Sequence, residues 1–233
     1  MPFLHETHRV VGAREGDFEA AYREGWMPTL AAGDDARLLW FLHQAHGSGA
    51  SYQVTTITAV ADGGAWERLA LRVQRGDLRS WARDLDETRH DVRGRILSAL
   101  PFSPLDTALA DVPVDGRRHD PSLYMEDTMW PKRGQVEEYV RAAGDVYART
   151  LGAGRATPLI RIVAALQTVP GAGRHPEVTL VQRVESIDGL VGLLTSDLPD
   201  EMTRPGTWMH DALQYRDQWR SKLLRSATWS PLP

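Results

Sequence analysis

The stretch "RILSALPFSPL", from Arg95 to Leu105, has a counterpart near the end of the chain, "KLLRSATWSPL", from Lys222 to Leu232. In each stretch a basic residue and two aliphatic residues precede an aromatic residue and Ser-Pro-Leu. The two aromatic residues, Phe102 and Trp229, lie 127 positions apart, since 229 − 102 = 127. Because proline cannot donate to a strand ladder, each stretch is typical of a strand that ends, and the pair predicts a repeated unit.

Two further pairs of segments support the repeat. The segment "REGDFEAAY" at 14–22 resembles "KRGQVEEYV" at 132–140, and each is predicted to open a helix after a short strand. The segment "SYQVTTITAVADGGAWERL" at 51–69 resembles "HPEVTLVQRVESIDGLVGL" at 175–193. Each of these is a β-branched run followed by a turn and an amphipathic start, so the order of elements is the same in both halves.

The first half reads as strand, helix, strand, strand, helix, strand, which is the ferredoxin-like split βαβ motif. Its strands are predicted at 4–11, 36–46, 52–61 and 94–100, and its helices at 16–31 and 65–88, the second interrupted near Gly76.

The second half repeats this order. Its strands are predicted at 122–130, 158–169, 177–184 and 222–228, with helical sections at 134–151 and 187–219. We therefore predict a first repeat at 1–105, a linker rich in Pro, Gly and charge at 106–121, and a second repeat at 122–233. The fold class is α+β.

A ferredoxin-like sheet carries helices on one face only, so its other face must be buried against something. Two tandem copies can bury these faces against each other and enclose a barrel-like interior.

This arrangement resembles the NIPSNAP family of the dimeric α+β barrel superfamily, which also contains antibiotic-biosynthesis monooxygenases. Weaker support for the resemblance comes from Trp40 and Gly47. Family members often carry an acidic residue before that glycine, whereas this chain has histidines in "HQAHG" and lacks that carboxylate. The residues that carry the resemblance are Ile96, Leu97, Phe102, Ser103, Pro104, Leu105, Leu223, Leu224, Trp229, Ser230, Pro231 and Leu232.

Composition excludes several functional classes. The chain has 233 residues, a formal net charge of -4 with no basic stripe, and no cysteine. We therefore expect no nucleic-acid partner, no disulfide and no thiolate chemistry. No stretch approaches the roughly 18 apolar residues of a membrane span, and the N-terminus lacks the apolar core of a signal peptide. We expect a cytoplasmic protein that does not enter membranes.

Glu6, His8 and Glu126 are the predicted catalytic residues. Side chains alternate along a strand, so Glu6 and His8 share one face of the first strand, and Glu126 lies on its counterpart. The family resemblance implies that these faces look into the barrel, where burial would raise a carboxyl pKa toward that of a general base. The alternative is that each glutamate pairs with an arginine such as Arg161 or Arg183 and only holds the sheet.

Aromatic residues and histidines are predicted to line the ligand cavity, because ligand sites are mostly apolar with few polar groups. The aromatic residues Phe18, Tyr22 and Trp26, spaced four apart on a helix, are instead expected to pack in the core. The predicted substrate-binding residues are Trp40, His43, His46, Tyr52, Tyr124, Trp130 and Trp208.

No metal motif is present, because His5 and His8, like His43 and His46, are three apart and would lie on opposite faces of a strand. We predict no metal and no cofactor. A haem held by one axial histidine stays open as an alternative.

The resulting hypothesis is a small-molecule-binding α+β barrel protein that acts as a cofactor-independent enzyme of secondary metabolism on a polyketide or aromatic substrate. Barrel acid/base residues would abstract a proton, as in a cyclase, isomerase or monooxygenase. The alternatives are a non-catalytic carrier or sensor of a hydrophobic ligand or haem, and an interaction protein. The expected partner is a small hydrophobic or aromatic ligand, and a homodimer is possible.

Overall fold

The computed structural model describes residues 1–148, 158–197 and 199–233. In these residues eight strands follow the predicted order. They are β1 (Pro2–Val10), β2 (Ala36–Gln44), β3 (Gln53–Val60), β4 (Arg89–Ala99), β5 (Leu123–Pro131), β6 (Ile160–Thr168), β7 (Val178–Val184) and β8 (Arg216–Ser226).

Helices connect the strands as the repeat predicts. In the first half α1 (Glu15–Ala20) continues through a π-helix (Ala21–Trp26) into α2 (Met27–Ala31), and α3 (Gly63–Arg75) and α4 (Arg79–Asp86) follow β3. In the second half α5 (Val136–Ala142) runs into a π-helix (Ala143–Tyr147), and three short helices follow β7. These are α6 (Ile187–Thr195), α7 (Asp200–Thr203) and α8 (Trp208–Asp211).

The starts of two strands differ from the sequence prediction. Strand β4 begins at Arg89 and not near Gly94, and β8 begins at Arg216, inside the predicted helical section. The predictions stopped short because the first halves of both strands are polar and exposed, which hides the alternation of a half-buried strand. The predicted helix at 134–151 is described only as far as residue 148, and its end lies outside the described residues.

The chain forms two compact units that are not continuous in sequence. Unit 1 contains residues 1–98, 106–122 and 222–233, and unit 2 contains residues 99–105 and 123–221. The closing segment of each predicted repeat therefore belongs to the unit built mainly from the other repeat, and the predicted linker belongs to unit 1. The repeat boundaries themselves stay a prediction.

Unit 1 contains the antiparallel sheet β4-β1-β3-β2, and the end of β8 adds beside β2. Helices α1 to α4 cover one face of this sheet. Asp62 caps α3 by accepting a hydrogen bond from the Ala65 backbone N–H at 2.8 Å. The core between sheet and helices is aromatic, with Phe18, Tyr22, Phe41 and Trp229 among its buried residues.

Unit 2 contains the antiparallel strands β5, β7 and β6. Its core packs Met129 and Leu180 from the sheet against Tyr139 from α5, with Trp208 from α8 at its edge. Helix α6 begins at the Ser186 cap, whose hydroxyl accepts from the Gly189 N–H at 3.1 Å. In the described part of the chain, no helix has the length and apolar character needed to cross a bilayer.

Candidate active site

A cavity of about 280 Å³ lies in unit 1 between the helices and the sheet. Its walls are mostly apolar, and its polar groups come from Glu6 on β1, Thr58 on β3, Gln74 on α3 and Arg89 at the start of β4. Aromatic rings from two helical segments and aliphatic side chains complete the lining. These residues are Leu4, Tyr22, Trp26, Leu30, Trp66, Leu69, Ala70, Val73, Ala82 and Leu85.

The π-helix places the aromatic residues on the cavity. Tyr22 and Trp26 are four residues apart, and a π-helix, with its wider turn, keeps residues at this spacing on one side. Their ring centroids lie 5.9 Å apart, and Phe18 follows at 5.6 Å from Tyr22. The prediction that these three residues pack in the core holds, because Phe18 and Tyr22 are fully buried and the partly buried Trp26 packs against the same cluster. Tyr22 and Trp26 also border the cavity.

Glu6 points its carboxylate toward the cavity. Among the described residues it has no hydrogen-bond or ion-pair partner, and Arg89 is the charge that acts on it. Burial raises the pKa of Glu6 from 4.5 to about 6, and the Arg89 charge opposes this rise. A carboxylate in this state accepts a proton near neutral pH, as a general base must.

His8 lies behind Glu6 on the same face of β1 and is fully buried. Its Nδ1 is 2.8 Å from the Arg89 Nη1, and its Nε2 is 3.0 Å from the Thr56 Oγ1. Burial holds the pKa of His8 well below its ordinary value, and the Arg89 charge acts in the same direction. His8 is therefore neutral, and because both ring nitrogens are engaged it is not a second base in the cavity.

The faces of the predicted catalytic residues require two corrections. The expectation that the Glu6 face of β1 looks into a barrel is wrong, because His8 on that face packs against Phe18 at 5.2 Å and Glu6 borders the helices. The expectation that Glu126 is the counterpart of Glu6 is also wrong. In unit 2 the helix-facing carboxylate is Asp127, whose neighbour Gln182 bonds the helical Tyr147. A shift of one residue moves a side chain to the other face.

Asp127 is a buried carboxylate with hydrogen bonds to both of its oxygens. Oδ2 accepts from the Gln182 Nε2 at 2.8 Å, and Oδ1 accepts from the Ser221 hydroxyl at 2.6 Å. Burial raises the pKa of Asp127, and these hydrogen bonds oppose the rise. The Tyr147 hydroxyl donates to the Gln182 Oε1 at 2.6 Å, so the carboxylate belongs to a closed polar network. Because both carboxylate oxygens accept hydrogen bonds from the protein, we assign Asp127 a role in stabilising unit 2 and not a role as a base.

His43 lies on β2 in unit 1 beside a second cavity of about 270 Å³. Its Nδ1 is 3.4 Å from the Glu15 carboxylate, and its Nε2 is 3.2 Å from the Glu19 carboxylate. Glu19 also accepts from the Trp229 indole N–H at 2.7 Å, and its pKa is lowered, chiefly by the hydrogen bond with His43. The two carboxylates meet opposite ring nitrogens, which is not the geometry of ligands around one metal ion. No group of three metal-binding side chains occurs within residues 1–148, 158–197 and 199–233.

The other predicted ligand-binding residues do not line the cavity with Glu6. Trp40 is buried on β2, and Tyr124 is buried on β5 in unit 2. His46 and Tyr52 lie in the exposed loop between β2 and β3, where Tyr52 has a φ of 57°.

Two further tryptophans have packing roles in unit 2. The Trp130 indole N–H donates to Glu177 at 2.7 Å, with the Arg174 guanidinium over its ring at 4.5 Å. Trp208 stacks on Tyr147 with 5.4 Å between ring centroids, as part of the unit 2 core. Of the predicted site residues, Glu6 lines the unit 1 cavity and His8 lies behind it on the same face of β1.

Arg89 is the main site residue that the sequence patterns missed. The predicted helix ends at residue 88 and the predicted closing strand begins at 94, so Arg89 lies in a polar stretch to which the sequence patterns assign no face. The arrangement also bears on haem binding, since an axial ligand needs a ring nitrogen that is available to iron. His8, the histidine beside the cavity, has neither nitrogen available. This cavity therefore does not fit a haem held by His8.

Comparisons with known proteins agree with the fold. No protein-family model matches the chain, and no curated protein matches it. A "putative monooxygenase" of known structure from Fusobacterium nucleatum is 9% identical, covers 97% of this chain and 92% of its own, and has a TM-score of 0.63. An "anthrone oxidase-like protein" is 10% identical, covers 97% of this chain and 91% of its own, and has a TM-score of 0.61.

A third similar structure spans one half of the chain. An uncharacterized NIPSNAP domain protein from Burkholderia xenovorans is 17% identical and covers 45% of this chain and 99% of its own, with a TM-score of 0.39. The two full-length matches share the fold of this chain, and the predicted α+β class of two tandem ferredoxin-like repeats is confirmed by the order of strands and helices in each half.

Proposed function

We propose that this chain is a cofactor-independent enzyme of secondary metabolism, in which the unit 1 cavity binds a flat aromatic or polyketide-like carbon acid and Glu6 removes its proton. The observation that carries the proposal is the Glu6 carboxylate, which borders an apolar cavity without a hydrogen-bond partner among the described residues. Similarity of fold to a "putative monooxygenase" and an "anthrone oxidase-like protein" supports the substrate class.

The chemistry of the first step follows from the groups around the cavity. The Glu6 carboxylate takes the proton from a carbon that a carbonyl group activates, either directly or through an aromatic ring as in anthrone. The electron pair of the C–H bond then delocalises onto the carbonyl oxygen as an enolate. The Arg89 guanidinium uses one N–H of Nη1 on His8 and one of Nη2 on Asp86, so each of these nitrogens keeps a second N–H. These donors stabilise the developing oxyanion.

The rings that line the cavity fit a flat substrate. Trp26 and Trp66 supply aromatic surface, and Leu30 and Leu69 supply aliphatic surface to the same wall. Proton abstraction is the step that cyclases, isomerases and cofactor-free monooxygenases of this kind have in common, so the proposal rests on that step alone.

The test is deuterium exchange of anthrone, a tricyclic ketone with an activated CH₂ group, followed by proton NMR in D₂O without oxygen. The protein is expected to accelerate exchange of the CH₂ protons over buffer, and Glu6→Gln is expected to lose about 10²–10⁴-fold of that acceleration. Glu24→Gln, which changes an exposed carboxylate on the same helical segment as Tyr22, is the control and retains the rate.

A carrier gives a different result in the same experiment. If anthrone binds in equilibrium dialysis while its exchange stays at the buffer rate, Glu6 is not a base toward this substrate and the carrier alternative replaces the enzyme. A mass spectrum of the small molecule that co-purifies with the protein would then identify the cargo.

A further inference from the structure

All three nitrogens of the Arg89 guanidinium are turned toward two other side chains. Nε and Nη2 donate to the Asp86 Oδ1 at 2.9 and 2.5 Å, and Nη1 donates to the His8 Nδ1 at 2.8 Å. The Arg89 side chain is 12% exposed, so this orientation is set by the protein and not by solvent.

His8 has a single protonation state that fits these contacts. A guanidinium is always protonated and has no acceptor, so the His8 Nδ1 must accept from Arg89. The proton of the neutral ring is then on Nε2, which donates to the Thr56 Oγ1 at 3.0 Å. Phe18 and Tyr22 pack against the ring at 5.2 and 5.8 Å between centroids and fix its plane.

Glu6 borders the same cavity as Arg89 and yet forms no ion pair with it within the described residues. The groups that face Glu6 are His8 on its own strand, the Tyr22 hydroxyl on the helix and Arg89 on β4, and α3 contributes the uncharged Gln74. A lone carboxylate beside an arginine in an apolar cavity ordinarily forms a two-pronged ion pair. This pair is missing although both partners are present.

We propose that His8 and Asp86 are positioning residues that hold the Arg89 guanidinium away from Glu6, so that the Glu6 carboxylate keeps no ion-pair partner in the cavity. The inference rests on the proposed function in that it takes Glu6 as the base. An ion pair would favour the charged form of Glu6 and weaken it as a base, and it would also withdraw the free N–H groups of Arg89 from the substrate oxygen.

A matched pair of variants at His8 tests the proposal. His8→Asn keeps an acceptor oxygen near the position of Nδ1, whereas His8→Leu has a similar volume and no acceptor, and both lose the bond to Thr56. The readout is the pKa of Glu6, measured by carboxyl ¹³C NMR on protein labelled at glutamate and assigned by its absence in Glu6→Gln. The pKa of Glu6 is expected to fall by about one unit or more in His8→Leu, as an adjacent cation lowers a carboxyl pKa. It is expected to stay near the wild-type value in His8→Asn.

Asp86 gives a variant that does not disturb the core, because its side chain is 65% exposed. Asp86→Ala releases two of the three Arg89 nitrogens and is expected to lower the pKa of Glu6 in the same direction. Adding Arg89→Gln to either variant removes the cation and is expected to restore a raised pKa. A pKa of Glu6 that stays unchanged or rises in both His8→Leu and Asp86→Ala would overturn the proposal.

The outcome is separable from that of the proposed function. The pKa of Glu6 is read without any substrate, so an absence of deuterium exchange on anthrone leaves this measurement intact. The converse result is deuterium exchange that depends on Glu6 together with a Glu6 pKa that is the same in the His8 and Asp86 variants. That result would support the proposed enzyme and contradict the positioning role of His8 and Asp86.

Discussion

The Ser230 hydroxyl accepts a hydrogen bond from the Phe41 backbone N–H at 3.1 Å, two residues after an irregularity in the pairing of β2 with β3. Ser103 makes the same contact with the Ala165 N–H at 3.0 Å, two residues after the matching irregularity in β6. Each Ser-Pro-Leu ending thus supplies an acceptor to a strand whose ladder is interrupted. Because Ser230 belongs to unit 1 and Ser103 to unit 2, each unit is completed by the ending of the other repeat.

Removing either serine hydroxyl is expected to destabilise the protein. Ser230→Ala leaves the buried Phe41 N–H without its acceptor and Ser103→Ala does the same to Ala165, at about 1–3 kcal/mol each. Guanidinium denaturation monitored by circular dichroism measures the change. Ser98→Ala, on an exposed position of β4, is the control and is expected to change stability by less than about 0.5 kcal/mol. If either variant loses no more stability than the control, the hydrogen bonds from the Ser-Pro-Leu endings do not stabilise the fold.

The sequence predicts the repeat, but it does not predict that the ending of each repeat belongs to the unit built mainly from the other repeat. Phe102 and Trp229 occupy equivalent positions in the two endings, and that spacing, with the matching order of strands and helices, implies two ferredoxin-like copies. The unit that each ending completes depends on contacts with β2 and β6, more than 60 residues away in each case. The residues of the endings themselves do not indicate these distant contacts. The irregularity in β2 also gives no sequence signal, because it lies within a continuous apolar run.

Glu6 is expected to lower stability at neutral pH. Its pKa in the folded protein, about 6, exceeds the ordinary 4.5, so the folded state binds the proton more tightly than the unfolded state does. The stabilisation that comes from protonating Glu6 in the folded state is complete below pH 4.5 and is lost as pH rises through about 6. The rise of the pKa from 4.5 to about 6 corresponds to about 2 kcal/mol, reduced to about 1–2 kcal/mol because the carboxylate borders an open cavity.

Urea denaturation of Glu6→Gln tests this cost. The variant is expected to be more stable than the wild type by about 1–2 kcal/mol at pH 7.5, and this gain is expected to vanish at pH 4.5. Glu24→Gln is the exposed control and shows no such dependence. A Glu6→Gln protein that is equally stable or less stable at pH 7.5 would mean that the carboxylate is not desolvated.

The Asp127 network is expected to stabilise unit 2 without a role in proton abstraction. Asp127→Asn places an amide N–H against the Gln182 amide or the Ser221 hydroxyl, both of which donate to the carboxylate. The lost hydrogen bond is expected to cost about 1–3 kcal/mol in urea denaturation. Deuterium exchange of anthrone is expected to be unchanged, and a loss of exchange in a folded Asp127→Asn protein would place a second base in the chain.

The site was only partly predictable from the sequence. Glu6 and His8 lie on one strand, so alternation alone puts them together. The counterpart of Glu6 was misassigned because Glu126 and Asp127 are adjacent and face opposite sides, and period-two alternation does not say which side bears helices. Arg89 was missed because its strand begins with charged, exposed residues. Two of the tryptophans predicted to bind ligand make ring contacts in unit 2, where Trp208 stacks on Tyr147 and the Arg174 guanidinium lies over Trp130.

The central claim is that Glu6 is the base of the unit 1 cavity, and the pH dependence of anthrone exchange tests it most directly. After subtraction of the buffer rate, exchange by the wild-type protein is expected to rise with a single inflection near pH 6, the pKa of Glu6, and then to level off. Glu6→Gln is expected to show no inflection in this range. An inflection near pH 6 that persists in Glu6→Gln, or catalysed exchange that ignores pH, would contradict the account.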